Sequence, residues 1–179
     1  MAEQDGAAGL AGVGDDARRL TMAVLMTPDL ANFSGKVHGG AILRLLDQVA
    51  YSCASRYART YVVTLSVDQV LFRAPVLVGD LVHALASVNY VGTTSMEIGI
   101  KLVAENPRGR SVRHAISCFF TMVAVDPEGR PTPVPPLQLD TEEQQRRYAL
   151  ADLRRSLRRE LQERYQDLLA KHHGSQAST

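Results

Sequence analysis

Apolar and polar positions alternate along four long segments of the chain, at 61–72, 79–92, 95–106 and 111–126. In the first of them, Val63, Leu65 and Val67 are separated by single polar residues. A period of two is typical of a half-buried β-strand. A shorter apolar run at 19–26 predicts a strand before these four. The connections between the four long segments are short and rich in turn residues, which favours antiparallel neighbours.

A different pattern separates the first predicted strand from the other four. Over residues 41–59, apolar side chains that include Ile42, Leu43 and Leu46 cover most of the circumference of a helix. Such a helix is normally buried, yet Asp47 stands in its middle. The simplest packing wraps the antiparallel sheet around this single long helix. The pattern therefore predicts an α+β fold.

Extensions flank this predicted domain on both sides. The N-terminal segment is rich in Ala and Gly and predicts a flexible tail. A proline-rich strap, residues 126–139, leads into a second helix. Thr141 and Gln144 at the start of that helix have the spacing of a capping box. Its leucines recur every three or four residues, which predicts packing on the chain's own domain or on a neighbouring subunit. The predicted boundaries are a tail at 1–18, the domain at 19–137, the charged helix at 138–172 and a disordered tail at 173–179.

Composition and charge narrow the class of protein. The 179 residues are 45% hydrophobic and 22% charged, with a formal net charge of +1. A near-zero charge argues against nucleic acid as the partner. No apolar run is long enough for a membrane span, and the N-terminus does not resemble a signal peptide. Cys53 and Cys118 lie in apolar runs, as expected for buried thiols in a reducing compartment. We therefore expect a cytoplasmic protein, and exposed strand edges favour a dimer formed by sheet extension.

The start of the first predicted helix contains the candidate catalytic groups. Gly39 and Gly40 stand where several amide N–H groups lack helical acceptors and the helix dipole is positive. A carbonyl oxygen that gains negative charge would be stabilised there. Asp47 follows Gly40 by seven residues, about 10 Å along the same helix face. A water molecule between them, oriented by Asn32, would be a potential nucleophile.

Each of these residues also has a purely structural explanation. Asp47 has the spacing for an ion pair with Arg44 or a contact with Tyr51. His38 at a helix start often serves as a hydrogen-bonding cap, and paired glycines often form a turn. The segment from Gly92 to Ser95 offers hydroxyl and amide groups for a polar ligand, but a hairpin turn accounts for it equally well. The histidines have no spacing that indicates a metal site.

The stretch NFSGKVHGGAILRLLDQVA, residues 32–50, resembles the signature of hotdog-fold acyl-CoA thioesterases, specifically the cytosolic acyl-CoA hydrolase group with its bacterial short-chain and brain-type mammalian members. The resemblance continues in VVTLSVDQVLFRAPVLVGD, VGTTSMEIGIKL and FFTMVAVDPEGRPTPVPPL. It covers about Thr21 to Leu137. It implies the hotdog fold, a dimer or a trimer of dimers, and active sites at the dimer interface.

The resemblance also implies roles for individual residues. Asp47 would act as general base or nucleophile, together with Asn32 of the partner protomer. The amides of the two glycines would stabilise the oxyanion, and the pantetheine arm of coenzyme A would run along the strand and hairpin. No cofactor is implied, because coenzyme A is part of substrate and product. The candidate catalytic residues are Asn32, His38, Gly39, Gly40 and Asp47, and the candidate substrate-binding residues are Val63, Thr64, Gly92, Thr93, Thr94 and Ser95.

Two other functions are compatible with the sequence. The first is a non-catalytic acyl-CoA-binding or scaffold protein that works through its charged C-terminal helix. The second is a hydratase acting on the carbons of an acyl thioester, which needs a histidine base paired with an acid. His38 and Asp47 are the residues available for that pair. We expect acyl-CoA as the ligand in each case, and neither a nucleic acid nor a membrane as partner.

Overall fold

A computed structural model of the protein describes residues 16–176, and the predicted N-terminal tail falls largely on residues 1–15, outside this range. The chain divides after Leu137 into two compact units. The first unit contains five strands and one long helix, and the second contains one helix. The elements are β1 (Arg19–Leu25), α1 (Gly39–Ala58), β2 (Tyr61–Phe72), β3 (Leu81–Val91), β4 (Ser95–Asn106), β5 (Ser111–Val125) and α2 (Glu142–Gln176).

The five strands form one sheet in the order β1-β3-β4-β5-β2, and every neighbouring pair is antiparallel. One face of the sheet packs on α1 in a single hydrophobic core. Alternate residues of the central strands, such as Ile98 on β4 and Phe120 on β5, are buried there. The sequence prediction of an antiparallel sheet wrapped around one helix is therefore confirmed. The topology leaves β1 and β2 as the two edge strands.

Helix α1 is amphipathic and not buried all round. Its residues Ile42, Leu46 and Val49 are at most 2% exposed, and each such aliphatic side chain stabilises the fold by about 1.5–3 kcal/mol relative to an exposed position. Leu43 and Tyr51, by contrast, are both 39% exposed. The prediction that Leu43 is buried is wrong, because Leu43 lies with Asp47 and Tyr51, at intervals of four residues, on a helix face outside the buried stripe.

The proline-rich strap holds the end of α1 against the sheet. The hydroxyl of Tyr57 lies 3.1 Å from the carbonyl oxygen of Pro135 and 3.0 Å from that of Pro136, so its one proton is shared between them. On the other side, the Val134 N–H donates to the carbonyl of Thr93 in the β3–β4 turn. The strap thus joins α1 to the β3–β4 hairpin.

The second unit is the single helix α2. Its predicted capping box is confirmed, because the Gln144 N–H donates to Thr141 Oγ1 and the Thr141 N–H donates to Gln144 Oε1. The helix continues to Gln176, into the predicted tail, and residues 177–179 lie outside the described range. No helix within residues 16–176 is long and apolar enough to cross a membrane. Packing of the α2 stripe on the chain's own domain or on a neighbouring subunit stays a prediction for Leu150, Leu153, Leu157, Leu161, Tyr165 and Leu168.

Candidate active site

Asp47 and Thr64 meet where α1 crosses the edge strand β2. The hydroxyl of Thr64 donates a hydrogen bond of 2.7 Å to Asp47 Oδ1. Thr64 pairs in register with Met122 of β5, a fully buried residue, and cross-strand partners share one face of a sheet. The register therefore directs the Thr64 side chain towards α1. The ion pair between Asp47 and Arg44 is not formed, and Thr64 is the partner of this carboxylate.

A cavity of about 560 Å³ surrounds this contact, a volume within the range of small-molecule sites. Tyr51 and Tyr61 form part of one wall and pack edge to face, with ring centroids 5.9 Å apart. Asp47 itself is exposed to solvent in the single chain. The cavity is lined by Met22, Asp47, Gln48, Tyr51, Ser52, Tyr61, Val62, Val63 and Thr64.

Three of these lining residues, Gln48, Tyr51 and Ser52, carry a signal in the sequence, because they lie within five residues of Asp47 on α1. Ser52 follows Gln48 by four residues, and Tyr51 follows Asp47 by four, which places Tyr51 on the same side of the helix as the Asp47 carboxylate. Gln48 is the immediate neighbour of Asp47. Met22 and Tyr61 have no such signal, because only the strand order of the folded sheet brings them to α1.

The start of α1 is capped by His38. Its Nδ1 accepts a 3.0 Å hydrogen bond from the Gly40 N–H, so the ring carries its proton on Nε2 and serves as the helix cap. Of the two predicted amide donors, Gly40 is therefore already bonded. The Gly39 N–H has no acceptor among the described residues. A Cβ added at Gly39 would come no closer than 3.7 Å, to the ring of Phe72, so internal packing does not require a glycine there.

Asn32 organises the loop that leads to this cap. Its Oδ1 accepts hydrogen bonds from the N–H and the hydroxyl of Ser34, at 2.9 and 2.8 Å, and from the N–H of Lys36 at 3.1 Å. Such side-chain to backbone bonds stabilise tight turns. Within one chain, neither Asn32 nor residues 38–40 line the cavity around Asp47. The structure brings together Asp47, Val63 and Thr64 and leaves the other predicted catalytic residues apart from them.

The segment from Gly92 to Ser95 forms a tight hairpin turn. The Gly92 N–H donates to the Ser95 carbonyl at 2.7 Å, and the carbonyls of Thr93 and Thr94 accept bonds from residues of the strap and of β5. Ser95 pairs in register with Val123, and Val123 pairs with Val63. Two strand spacings, about 10 Å, therefore separate Ser95 from Val63. Backbone hydrogen bonds within the domain therefore hold the shape of the turn.

Comparisons with known proteins relate the chain to thioesterases. The family model described as Thioesterase superfamily matches residues 34–110. Protein VdlD of Helicobacter pylori is 49% identical over 143 residues, which are 80% of this chain and 82% of that protein. An uncharacterized acyl-CoA thioester hydrolase of Zymomonas mobilis is 38% identical over 143 residues, 76% of this chain and 89% of that protein.

Two solved structures add detail. The crystal structure of an apo-hexameric acyl-CoA thioesterase superposes with a TM-score of 0.77 at 34% identity and covers 79% of this chain and 91% of that one. An acyl-CoA hydrolase of Staphylococcus aureus, in complex with butyryl coenzyme A, coenzyme A and coenzyme A disulfide, has a TM-score of 0.75 at 28% identity and covers 85% of this chain and 94% of that one.

The S. aureus enzyme has also been solved with an aspartate, an asparagine or a threonine replaced by alanine. In its numbering the asparagine precedes the aspartate by 15 residues and the threonine follows it by 17. Asn32 and Thr64 stand at these same two spacings from Asp47. The chain therefore belongs to the thioesterase superfamily, with the hotdog fold and with relatives that are named acyl-CoA thioester hydrolases.

Proposed function

We propose that the protein hydrolyses acyl-CoA thioesters to a free fatty acid and coenzyme A. The observation that carries this proposal is the Asp47 carboxylate, held by Thr64 at 2.7 Å in a cavity of ligand size. The spacings that Asn32, Asp47 and Thr64 share with the positions substituted in the S. aureus hydrolase support the same roles here.

In the proposed mechanism Asp47 either takes a proton from water as the water attacks the thioester carbonyl, or attacks the carbonyl itself to form a mixed anhydride. The negative charge that develops on the carbonyl oxygen is stabilised by the Gly39 N–H, with the Gly40 N–H joining once His38 releases it. The C–S bond then breaks and coenzyme A leaves as a thiolate. On the second route a water molecule then hydrolyses the mixed anhydride, which releases the fatty acid and restores the Asp47 carboxylate. A thiolate leaves more readily than an alkoxide, so no strong acid is required.

A complete site requires two protomers in this proposal, because Asn32 and Gly39 do not line the cavity that contains Asp47 in one chain. Edge strand β2 supports a pairing of two copies, since Leu65 and Val67 are 67% and 46% exposed there and an unpaired apolar edge favours strand addition. Asn32 of the partner then orients the water or the carbonyl at Asp47. A trimer of such dimers agrees with the hexameric state of the thioesterase that superposes on the chain.

The remaining parts of the proposal concern substrate and location. The pantetheine arm runs along Val63 and Thr64 towards the turn at residues 92–95, where register places the turn two strands from β2. Hydrolysis by this route uses no cofactor. We place the protein in the cytoplasm, in agreement with its relatives among the cytosolic acyl coenzyme A thioester hydrolases.

The test is the release of free thiol from acyl-CoAs that range from acetyl to palmitoyl. Wild type is compared with Asp47→Asn and with Asp29→Asn, which makes the same chemical change at an exposed position outside the cavity. We expect wild type and Asp29→Asn to hydrolyse at least one substrate and Asp47→Asn to lose about 10²–10⁴-fold in kcat, the usual contribution of a general base.

Three results would redirect the proposal. Acyl-CoA binding without thiol release by the wild type would support the non-catalytic binding protein. Full turnover by Asp47→Asn would remove this carboxylate from the chemistry. Hydration of an unsaturated acyl-CoA without hydrolysis would support the hydratase.

A further inference from the structure

The loop between β2 and β3, residues 73–80, is hydrogen-bonded to the segment that precedes α1. The Val37 N–H donates to the Val76 carbonyl at 3.0 Å, and Lys36 and Leu77 form an isolated β-bridge. Both valines are buried, at 7% and 5% exposure. The residue after Val37 is the capping His38, so this contact fixes the backbone immediately before the Gly39 amide.

The other end of the same segment is attached to the same loop. The Met26 N–H donates to the Asp80 carbonyl and the Gly79 N–H donates to the Met26 carbonyl, both at 2.8 Å. The chain from Met26 to Val37, which contains Asn32, is therefore bonded to the β2–β3 loop at both its ends. Movement of that loop would move Asn32 and Gly39 together.

An ion pair gives the loop its shape. The Asp80 carboxylate is 2% exposed, accepts a 2.7 Å hydrogen bond from the Leu77 N–H and pairs with Arg113 Nη2 of β5. The same guanidinium donates from Nε to the Pro75 carbonyl at 3.1 Å. Arg113 thus contacts the loop at both Pro75 and Asp80, with a planar fork that a single ammonium group cannot reproduce.

We propose that Asp80 and Arg113 are positioning residues for thioester hydrolysis. They hold the 73–80 loop, which sets the backbone of residues 26–38 and so places the Gly39 amide and the Asn32 side chain at the reacting carbonyl. This inference rests on the proposed function for the roles of Gly39 and Asn32. A displacement of about 1 Å at such groups lowers a rate by about 10²-fold, so a small shift of the loop has a large effect on turnover.

The test uses two conservative variants, the non-conservative variant Arg113→Met and one control. Asp80→Asn keeps an acceptor for the Leu77 N–H and removes the charge that faces Arg113. Arg113→Lys keeps the charge and loses the simultaneous contact with Pro75 and Asp80. Glu105→Gln is the matched control, because it neutralises a carboxylate that bonds His83 of the neighbouring strand at 2.8 Å, on the sheet face opposite to that of Arg113.

Two readouts separate positioning from a general loss of stability. The first is kcat against KM for the best acyl-CoA, for which we expect kcat to fall about 10-fold or more in both loop variants while KM changes less than about threefold. The second is amide hydrogen exchange, which we expect to accelerate in a peptide covering residues 30–40 and not in one from β4. Arg113→Lys should retain more activity than Arg113→Met, and Glu105→Gln should match wild type in both readouts.

The proposal is overturned if kcat stays at the wild-type value in folded Asp80→Asn and Arg113→Lys. It is equally overturned if exchange rises by the same factor in β4 as at residues 30–40, since that pattern indicates a role in overall stability alone. If Asp80→Asn does not fold, Arg113→Lys decides by the same two criteria. If the wild type hydrolyses no acyl-CoA, the proposed function fails, and the exchange comparison still decides whether the ion pair holds the Gly39 segment.

Discussion

The Thr64 hydroxyl donates a hydrogen bond of 2.7 Å to Asp47 and so joins β2 to α1, two elements that follow one another in the chain. The bond uses Asp47 Oδ1 and leaves Oδ2 for a water molecule or an acyl carbon. It also fixes the carboxylate at the wall formed by the edge strand. A base held in this way loses less conformational entropy when the substrate arrives.

Replacing Thr64 with valine should lower kcat for acyl-CoA hydrolysis with little change in unfolding. Valine has the shape of threonine without the hydroxyl, and Thr64 and Asp47 are both exposed in the single chain, so the fold loses little stability. A carboxylate that is no longer held in place lowers the rate by up to about 10²-fold. Thiol release measures kcat and KM, and circular dichroism checks the fold. Thr64→Ser keeps the hydroxyl and should retain most of the activity. Equal turnover in Thr64→Val and wild type would show that this bond has no catalytic role.

Replacing Gly39 with alanine should preserve the fold and reduce hydrolysis. The added Cβ meets the Phe72 ring at an ordinary distance of 3.7 Å, and alanine is a better helix residue than glycine. The thermal midpoint should therefore stay level or rise, while the methyl group obstructs the approach of the acyl carbonyl to the amide and lowers kcat/KM. Wild-type activity in Gly39→Ala would exclude a close approach of substrate at this position.

The fold was predictable from the sequence because its signals are local. The bounds of β2 and β4 agree with the alternation pattern, since each strand ends at a turn signal. Helix α1 begins at Gly39, and His38 caps it by bonding the Gly40 N–H, as the position of His38 before the two glycines predicted. The exposure of Leu43 could not be predicted, because an apolar residue on an exposed helix face has the same pattern as one that faces the core.

The candidate site was predictable in part. The glycines and Asp47 lie on one helix, so spacing alone relates them. The bond between Asp47 and Thr64 depends on the register of β2 with β5, which spacing does not give. Thr64 was predicted as a substrate contact, and the structure adds that it holds the carboxylate. The engagement of Gly40 by His38 depends on a side-chain rotamer, which the sequence also does not specify.

Replacing Gly99 with alanine should destabilise the sheet. The new Cβ would lie 2.2 Å from Asn89 Nδ2, and Asn89 is a buried residue that accepts a bond from Ser87 and donates to Glu97. Displacing it breaks bonds among buried polar groups, which costs about 1–3 kcal/mol for each group left unsatisfied. Denaturant unfolding at one protein concentration measures the loss.

The control for this substitution is Gly109→Ala, where the nearest atom to the added Cβ belongs to Asn106 at 3.5 Å. Its unfolding free energy should stay within about 0.5 kcal/mol of wild type, as for most surface substitutions. A Gly99→Ala variant as stable as this control would show that Asn89 has a second rotamer in which its bonds are kept.

Both cysteines should resist thiol reagents in the folded protein. Burial raises the pKa of Cys53 and of Cys118 to about 12, because desolvation disfavours the thiolate, and the thiolate is the reactive form. At pH 8 only about one thiol in ten thousand is then ionised. An aromatic disulfide reagent should therefore detect two thiols in denaturant and close to none in native protein. Reactivity should rise with pH towards 12.

The raised pKa also means that burial of the neutral thiols stabilises the fold fully below the unfolded pKa of about 8.5, and that this contribution declines as pH increases towards 12. Prompt reaction of two thiols at pH 8 without denaturant would contradict the prediction and would indicate that α1 separates from the sheet in solution. A slow reaction ensures that colour released during acyl-CoA hydrolysis comes from coenzyme A and not from the protein.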